Sequence, residues 1–197
     1  MKYDFIEIGT SNFDTLIQAA DDFAVGISIE PIKHYLDSLP SRANVKKLNV
    51  AVSRTDCAGQ LDVYFVPESV IAANQLPAWL RGCNAVGEYH FQHTELGITD
   101  LVVKQSVPVV PIADIFNTHD VTELDYLKID TEGSDCAIME QLYRFLRLEP
   151  RSRWPRRILF ESNELAVPTE VEQTKFNFVV MGYQVVQSGY DTVLEYK

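Results

Sequence analysis

The run Asp125-Tyr126-Leu127-Lys128-Ile129-Asp130-Thr131-Glu132-Gly133-Ser134-Asp135 constrains the fold of this chain more than any other stretch. Tyr126, Leu127 and Ile129 are apolar or strand-forming, and the segment is too short and too sharply bounded to be a helix. It ends in carboxylates and a glycine. Beyond them Ile138, Leu142, Phe145 and Leu146 recur at helical spacing, so the run reads as strand, turn, helix. Asp130 then sits at the carboxyl end of its strand, the edge of an open α/β sheet where ligands bind. Thr131 or Asp130 is expected to cap the helix, and Glu132 suits the positive end of its dipole. A cap alone would explain one polar residue here. Asp130 is nevertheless assigned to function, because strand-end carboxylates are where ligand contact and pKa tuning concentrate.

The flanking sequence supplies the rest of such a sheet. Tyr3 to Gly9 reads as a strand, Leu16 to Phe23 as a helix, Val25 to Glu30 as a strand, and Tyr35 to Leu39 as a short helix. Units of this kind form parallel sheets with right-handed crossovers. Strands are also expected at Val45–Val52, Gln60–Val66 and Ile158–Phe160, and a short strand with a helical turn over Val109–Asn117. A helix is expected over Val171–Met181, stopped by Gly182. Tyr183–Val186 and Thr192–Tyr196 alternate like an antiparallel pair joined through Gly189. Residues 67–107 hold Trp79, Arg81, Asn84, His90 and His93 without a sustained period, and are expected to form an irregular insertion or lid.

At 197 residues the chain is expected to be one domain, 1–197. The net charge of −11 repels phosphate backbones and anionic lipid, so nucleic acid and membrane are not expected partners. The basic cluster Arg144, Arg147, Arg151, Arg153, Arg156 and Arg157 lies near a helix end, where cations complement the dipole and water solvates them. Phe145, among them, belongs to the apolar face of that helix and is not free to stack on bases. Cys57, Cys83 and Cys136 are odd in number and lack metal or disulfide spacing. With no signal core or membrane-length apolar run, a cytoplasmic protein is expected.

Three strands end in acids or glycine, at Glu7-Ile8-Gly9, Glu30 and Asp130. A nucleoside fits between them. Glu30 follows Gly9 by about 20 residues, the spacing that places an acid on ribose hydroxyls. Dinucleotide binding requires further glycines where this chain has Ser11 and Asp14, and an aspartate near a pyrophosphate is repulsive. S-adenosylmethionine has no phosphate and carries a sulfonium cation, which suits acidic surroundings better.

The stretches Phe5-Ile6-Glu7-Ile8-Gly9-Thr10-Ser11, Ile29-Glu30-Pro31, Asn49-Val50-Ala51-Val52-Ser53, Leu127-Lys128-Ile129-Asp130-Thr131-Glu132-Gly133 and Leu159-Phe160-Glu161 resemble the ordered motifs of the FkbM family of S-adenosylmethionine-dependent methyltransferases. The resemblance implies a Rossmann-like class I methyltransferase fold, with a mostly parallel sheet, helices on both faces and an antiparallel C-terminal strand. It implies S-adenosylmethionine as cofactor, with Glu7, Gly9, Thr10 and Ser11 in the first loop, Glu30 as the ribose ligand, Ser53 as a further cofactor contact, and Asp130 facing the reacting methyl. Methylation of oxygen on a small molecule or sugar is the implied activity. Phe13 departs from the pattern, since many members have a second glycine there, and motivates the alternative of a nucleoside- or metabolite-binding module that kept the fold without turnover.

A hydroxyl acceptor must lose its proton, and Asp130, His90 or His93 are the candidate bases. An unpatterned loop suits solvent-facing histidines better than either a base or a metal role, and they lack any further metal-ligand signature. Trp79, Arg81 and Glu161 are candidates for the acceptor wall, with core packing and exposure as the plain readings of the first two. No metal site is assigned, although Asp130 and Glu161 with Asn163 offer hard oxygen ligands that would suit magnesium.

Overall fold

The computed structural model describes residues 1–54, 58–87 and 89–196. Its strands are β1 (Lys2–Ile8), β2 (Gly26–Ile29), β3 (Val45–Leu48), β4 (Gly59–Phe65), β5 (Ala85–Val86), β6 (Val103–Val109), β7 (Glu123–Ile129), β8 (Arg157–Glu161), β9 (Tyr183–Gln187) and β10 (Asp191–Tyr196). The α-helices are α1 (Leu16–Ala19), α2 (Lys33–Ser38), α3 (Glu68–Ala73), α4 (Phe91–Glu95), α5 (Ile112–Thr118), α6 (Asp135–Leu146) and α7 (Pro168–Met181). Seven strands form one sheet in the order β3-β2-β1-β7-β8-β10-β9. The first five run parallel, and β10 lies antiparallel to both β8 and β9. This is the doubly wound arrangement expected, with the switch point between β1 and β7.

Strand alternation assigns the two faces. Ile6, Ile8, Leu127 and Ile129 point to a core shared with Ile115 and Phe116 of α5, Ile138 and Leu142 of α6, and Phe178 of α7. Phe5 and Tyr126 point the other way, to Ile17, Leu36 and Leu39 around α1 and α2. Burying each such aliphatic side chain contributes about 1.5–3 kcal/mol. β7 is covered on both faces, which is why its alternation is partly hidden in the sequence. Among the described residues β9 ends the sheet: of its five residues only Tyr183 is buried, and no strand pairs with its outer edge.

Several boundaries differ from the sequence-based expectation for local reasons. Helix α1 stops at Ala19 and does not reach Phe23, because Ala20 is already extended and the Asp21 carboxylate accepts the Phe23 and Ala24 N–H groups in a turn of its own. β3 stops at Leu48, since the Asn49 amide reaches across to the Glu30 and Pro31 carbonyls. Helix α7 begins earlier than Val171, at Pro168, whose fixed φ suits a first helical turn. It ends at Gly182 as expected, with φ of 107°.

The larger correction is the segment 67–107. With β4 it builds a second, antiparallel sheet in the order β5-β4-β6. The strand Val103–Val109 leaves little mark in the sequence, because Lys104, Gln105, Ser106 and Pro108 break its apolar pattern and only Val107 and Val109 are buried. An Ala51–Val109 bridge joins this sheet to the chain leaving β3. Cys83 and Cys136 are buried free thiols, while Cys57 lies outside the described residues.

The seam between β1 and β7 is tightest where the strands end. Gly9 has φ of +80°, and a Cβ there would stand 1.8 Å from the Asp130 carbonyl oxygen. That oxygen belongs to the backbone and cannot swing aside. Gly9→Ala is therefore expected to destabilise the domain by more than ~1 kcal/mol, read as a lower urea midpoint at unchanged m-value. A midpoint equal to wild type would show that the two strand ends do not meet in this way.

Candidate active site

The carboxyl ends of β1, β2, β7 and β8 open into a cavity of about 310 Å³. Its floor is the loop after β1. The Ser11 N–H donates to Glu30 Oε2 at 2.7 Å and the Ile32 N–H to Glu30 Oε1 at 2.8 Å, so one carboxylate ties the ends of β1 and β2 together. Glu30 is buried, and burial pushes its pKa up to about 7 against the opposing pull of these backbone donors. Ile29, Pro31, Val50, Ala51 and Val52 give the same cavity an apolar wall.

On the β7 side, side-chain alternation puts Lys128 and Asp130 on one face. The Lys128 ammonium lies 3.0 Å from Glu7 Oε1 and 3.6 Å from Asp130 Oδ2. Burial pulls the Lys128 pKa down, but the Glu7 and Asp130 carboxylates outweigh it and hold it above the ordinary value. Burial raises Asp130, with Lys128 opposing and Glu132 adding to the rise.

The turn after β7 is not capped as expected. Helix α6 starts only at Asp135, and Ser134 before it makes no side-chain cap. Asp135 is the organiser instead: Oδ2 accepts from the Thr131 hydroxyl at 2.8 Å and from the Thr131 N–H, and Oδ1 accepts from the Glu161 N–H. Burial pushes its pKa up to about 7. Glu132 projects from a left-handed backbone, φ 53°, a conformation that costs a non-glycine residue about 1–3 kcal/mol. Its carboxylate meets those of Asp130 and Glu161, with one oxygen of each lying within 4.8 Å of the others. Glu161 is driven up to about 9, by burial first and then by the neighbouring Glu132, Asp130 and Asp135 charges.

The segment 67–107 covers this floor. The Arg81 guanidinium lies 4.4 Å over the Phe13 ring, the Asn12 amide donates to Glu68 at 2.8 Å, and Gly82, Asn84 and Ala85 line the cavity. Phe13 lines it too, and the cavity stays open beside that ring.

Of the residues singled out from the sequence, Gly9, Thr10, Ser11, Glu30, Asp130 and Glu161 line one cavity. Glu7 lies behind it, fully buried, accepting from the Leu16 N–H at 2.8 Å and from Lys128. Ser53 is buried away from the lining, its carbonyl accepting from Gln141. Trp79 is half exposed and outside the lining, and Arg81 touches the site through Phe13. The histidines do not face solvent: His93 is fully buried, with its pKa lowered by burial, and His90 is buried 3.5 Å from Glu132. Asn163 stands behind Glu161, donating to its Oε1 at 2.5 Å. The sequence assigns Glu132 only to the helix dipole and gives Lys128 and Asp135 no role, although Lys128 is two residues from Asp130 on a strand and so shares its face.

A family model described as the Methyltransferase FkbM domain matches residues 7–181. The chain belongs to the FkbM methyltransferase family. No curated protein matches it. The matched span runs from Glu7 to the end of α7, so it takes in the strand ends, the cavity and the 67–107 segment together. Among the described residues no helix is long and apolar enough to cross a membrane.

Glu30 gives the FkbM domain a measurable pH dependence. Its proton is held up to about pH 7 in the folded chain but only to its ordinary 4.5 when unfolded. Its contribution to stability is therefore complete below about pH 4.5 and is lost as pH rises through 7. Relative to Glu30→Gln, which stays neutral, wild type should lose urea resistance across that window and run parallel to the variant above it. Parallel curves throughout would show that Glu30 is ionised at ordinary pH.

Proposed function

We propose that this domain transfers a methyl group from S-adenosylmethionine to a hydroxyl of a small molecule or sugar. The observation that carries the reading is the pairing, in one cavity, of the buried Glu30 carboxylate with the strand-end carboxyl of Asp130. Each Glu30 oxygen holds one backbone N–H and keeps a lone pair for a ribose hydroxyl. The loop of Gly9, Thr10 and Ser11 would hold the methionine end, and Pro31, Val50 and Ala51 the base. A pyrophosphate fits this floor badly, since Ser11 and Asp14 replace the glycines it needs and Asp14 repels it.

When bound, the cofactor supplies a methyl carbon activated by its sulfonium. The chain's own work is to align the acceptor, exclude water and move one proton. Asp130 is suited to the last, because burial raises its proton affinity toward the range in which a carboxylate serves as general base. Lys128 keeps that carboxylate oriented and balances its charge. Phe13, under Arg81, forms the cover. A concave, half-enclosed cavity and a net charge of −11 favour a small neutral acceptor over a nucleic acid.

Calorimetry with S-adenosylhomocysteine tests the cofactor directly, and tight NAD binding with no affinity for the sulfur nucleoside would overturn the reading. Glu30→Ala should weaken that binding by about 1–3 kcal/mol in a folded protein. Asp130→Asn should lower turnover by ~10²–10⁴-fold while leaving donor affinity nearly unchanged. Wild-type turnover by the folded Asp130→Asn protein would remove Asp130 from the reaction.

A further inference from the structure

The carboxylates of Asp130, Glu132 and Glu161 converge from two strand ends and a turn, so that one oxygen of each lies within 4.8 Å of the other two. Like charges so close repel, and the structure brings them together nonetheless. Each is backed by its own nitrogen. Lys128 Nζ stands 3.6 Å from Asp130, His90 Nε2 3.5 Å from Glu132, and Asn163 Nδ2 donates to Glu161 Oε1 at 2.5 Å. That last bond leaves Glu161 Oε2 buried with no partner.

His90 is the independent pointer. Only 5% exposed, its ring accepts the Gln92 N–H on Nδ1, which fixes the neutral tautomer with the proton on Nε2. That buried N–H makes no hydrogen bond, and its nitrogen stands 3.5 Å from Glu132 Oε2. A nitrogen set against each carboxylate, with further oxygens to spare, is how ligating carboxylates are oriented around a metal ion.

We propose that Asp130, Glu132 and Glu161 bind one divalent cation of the hard, oxygen-preferring class, magnesium, manganese or calcium. Carboxylate-only ligation selects these ions over zinc or copper, which prefer nitrogen and sulfur. Asn163 is a supporting residue of the site and Glu132 its third ligand. All three carboxylates are half-buried and line the cavity, so the remaining coordination positions open toward the acceptor. There the cation would accept an acceptor oxygen as ligand and make its hydroxyl proton more acidic, while Asp130 keeps an oxygen to receive that proton. This consequence for the acceptor rests on the hydroxyl-transfer reading, and it favours acceptors with two neighbouring oxygens. Cation binding itself does not rest on that reading.

The test is a titration of the metal-stripped full chain with manganese chloride, without nucleotide or acceptor, followed by electron paramagnetic resonance and by calorimetry. Binding of a single manganese ion per chain with a dissociation constant of ~10⁻⁵–10⁻³ M is expected, with magnesium competing for the site. Glu132→Gln and Glu161→Gln should each weaken it at least ~10-fold, and His90→Ala by ~10-fold or more through loss of the supporting N–H. Asp37→Asn, which removes a solvated carboxylate paired with Lys33, should leave it unchanged. Circular dichroism identifies any variant that fails to fold, and Glu132, on a half-exposed turn, is the substitution least coupled to the core. Absence of saturable binding to ~10 mM manganese, or binding indifferent to the folded Glu132→Gln change, overturns the proposal. Loss of S-adenosylhomocysteine binding would strike the methyl-transfer reading alone and leave the cation site standing.

Discussion

The ion pair between Glu7 and Lys128 is the contact on which the rest of the site depends. The two residues face each other across the β1–β7 seam, in register, with Glu7 wholly buried. A pair so placed contributes little net stability, because desolvating both charges offsets most of their attraction. Its effect is on arrangement. Glu7 spends its second oxygen on the Leu16 N–H at the start of α1, which sets the far end of the loop that begins at Gly9. Lys128 extends past Glu7 to Asp130. One buried pair thus positions the loop that would hold the cofactor and the carboxylate that would meet the acceptor.

The sheet was legible in the sequence because its central strands are apolar runs ended by glycine or acid. That punctuation survives whatever the tertiary contacts add. The same reasoning failed where burial is thin. In Val103–Val109 only two side chains are buried, so there was almost no pattern to read. In α1 the apolar spacing continued past the point where Asp21 captured the backbone.

The site was legible by halves for a related reason. Residues on strand ends, Gly9, Glu30, Asp130 and Glu161, are placed by the sheet, whose geometry the sequence predicts. Those brought in by the 67–107 segment are placed by long-range packing, which leaves no local mark. Nothing near His90 and His93 in sequence shows that the segment folds back over the turn at Glu132, so the sequence leaves them as candidate bases or solvent-facing residues without placing them. Lys128 and Asp135 stand in the most conspicuous stretch of the chain, yet their roles depend on partners in β1 and β8 that no local pattern shows.

The bare outer edge of β9 bears on how the molecule behaves in solution. An unpaired strand exposes a row of hydrogen-bonding groups that another chain can match, and proteins usually blunt such edges with charge, proline or a bulge. Tyr183-Gln184-Val185-Val186-Gln187 carries neither charge nor proline, and Val185 and Val186 are open to water. Its pairing with β10 slips by one residue at Val186, a bulge that bends the edge, and the overall charge of −11 adds a repulsion between copies that acts over about 10 Å at 0.1 M salt and shortens as salt is added. Colloidal behaviour is therefore tied to ionic strength, and concentrated salt weakens one of the two barriers to edge-to-edge growth.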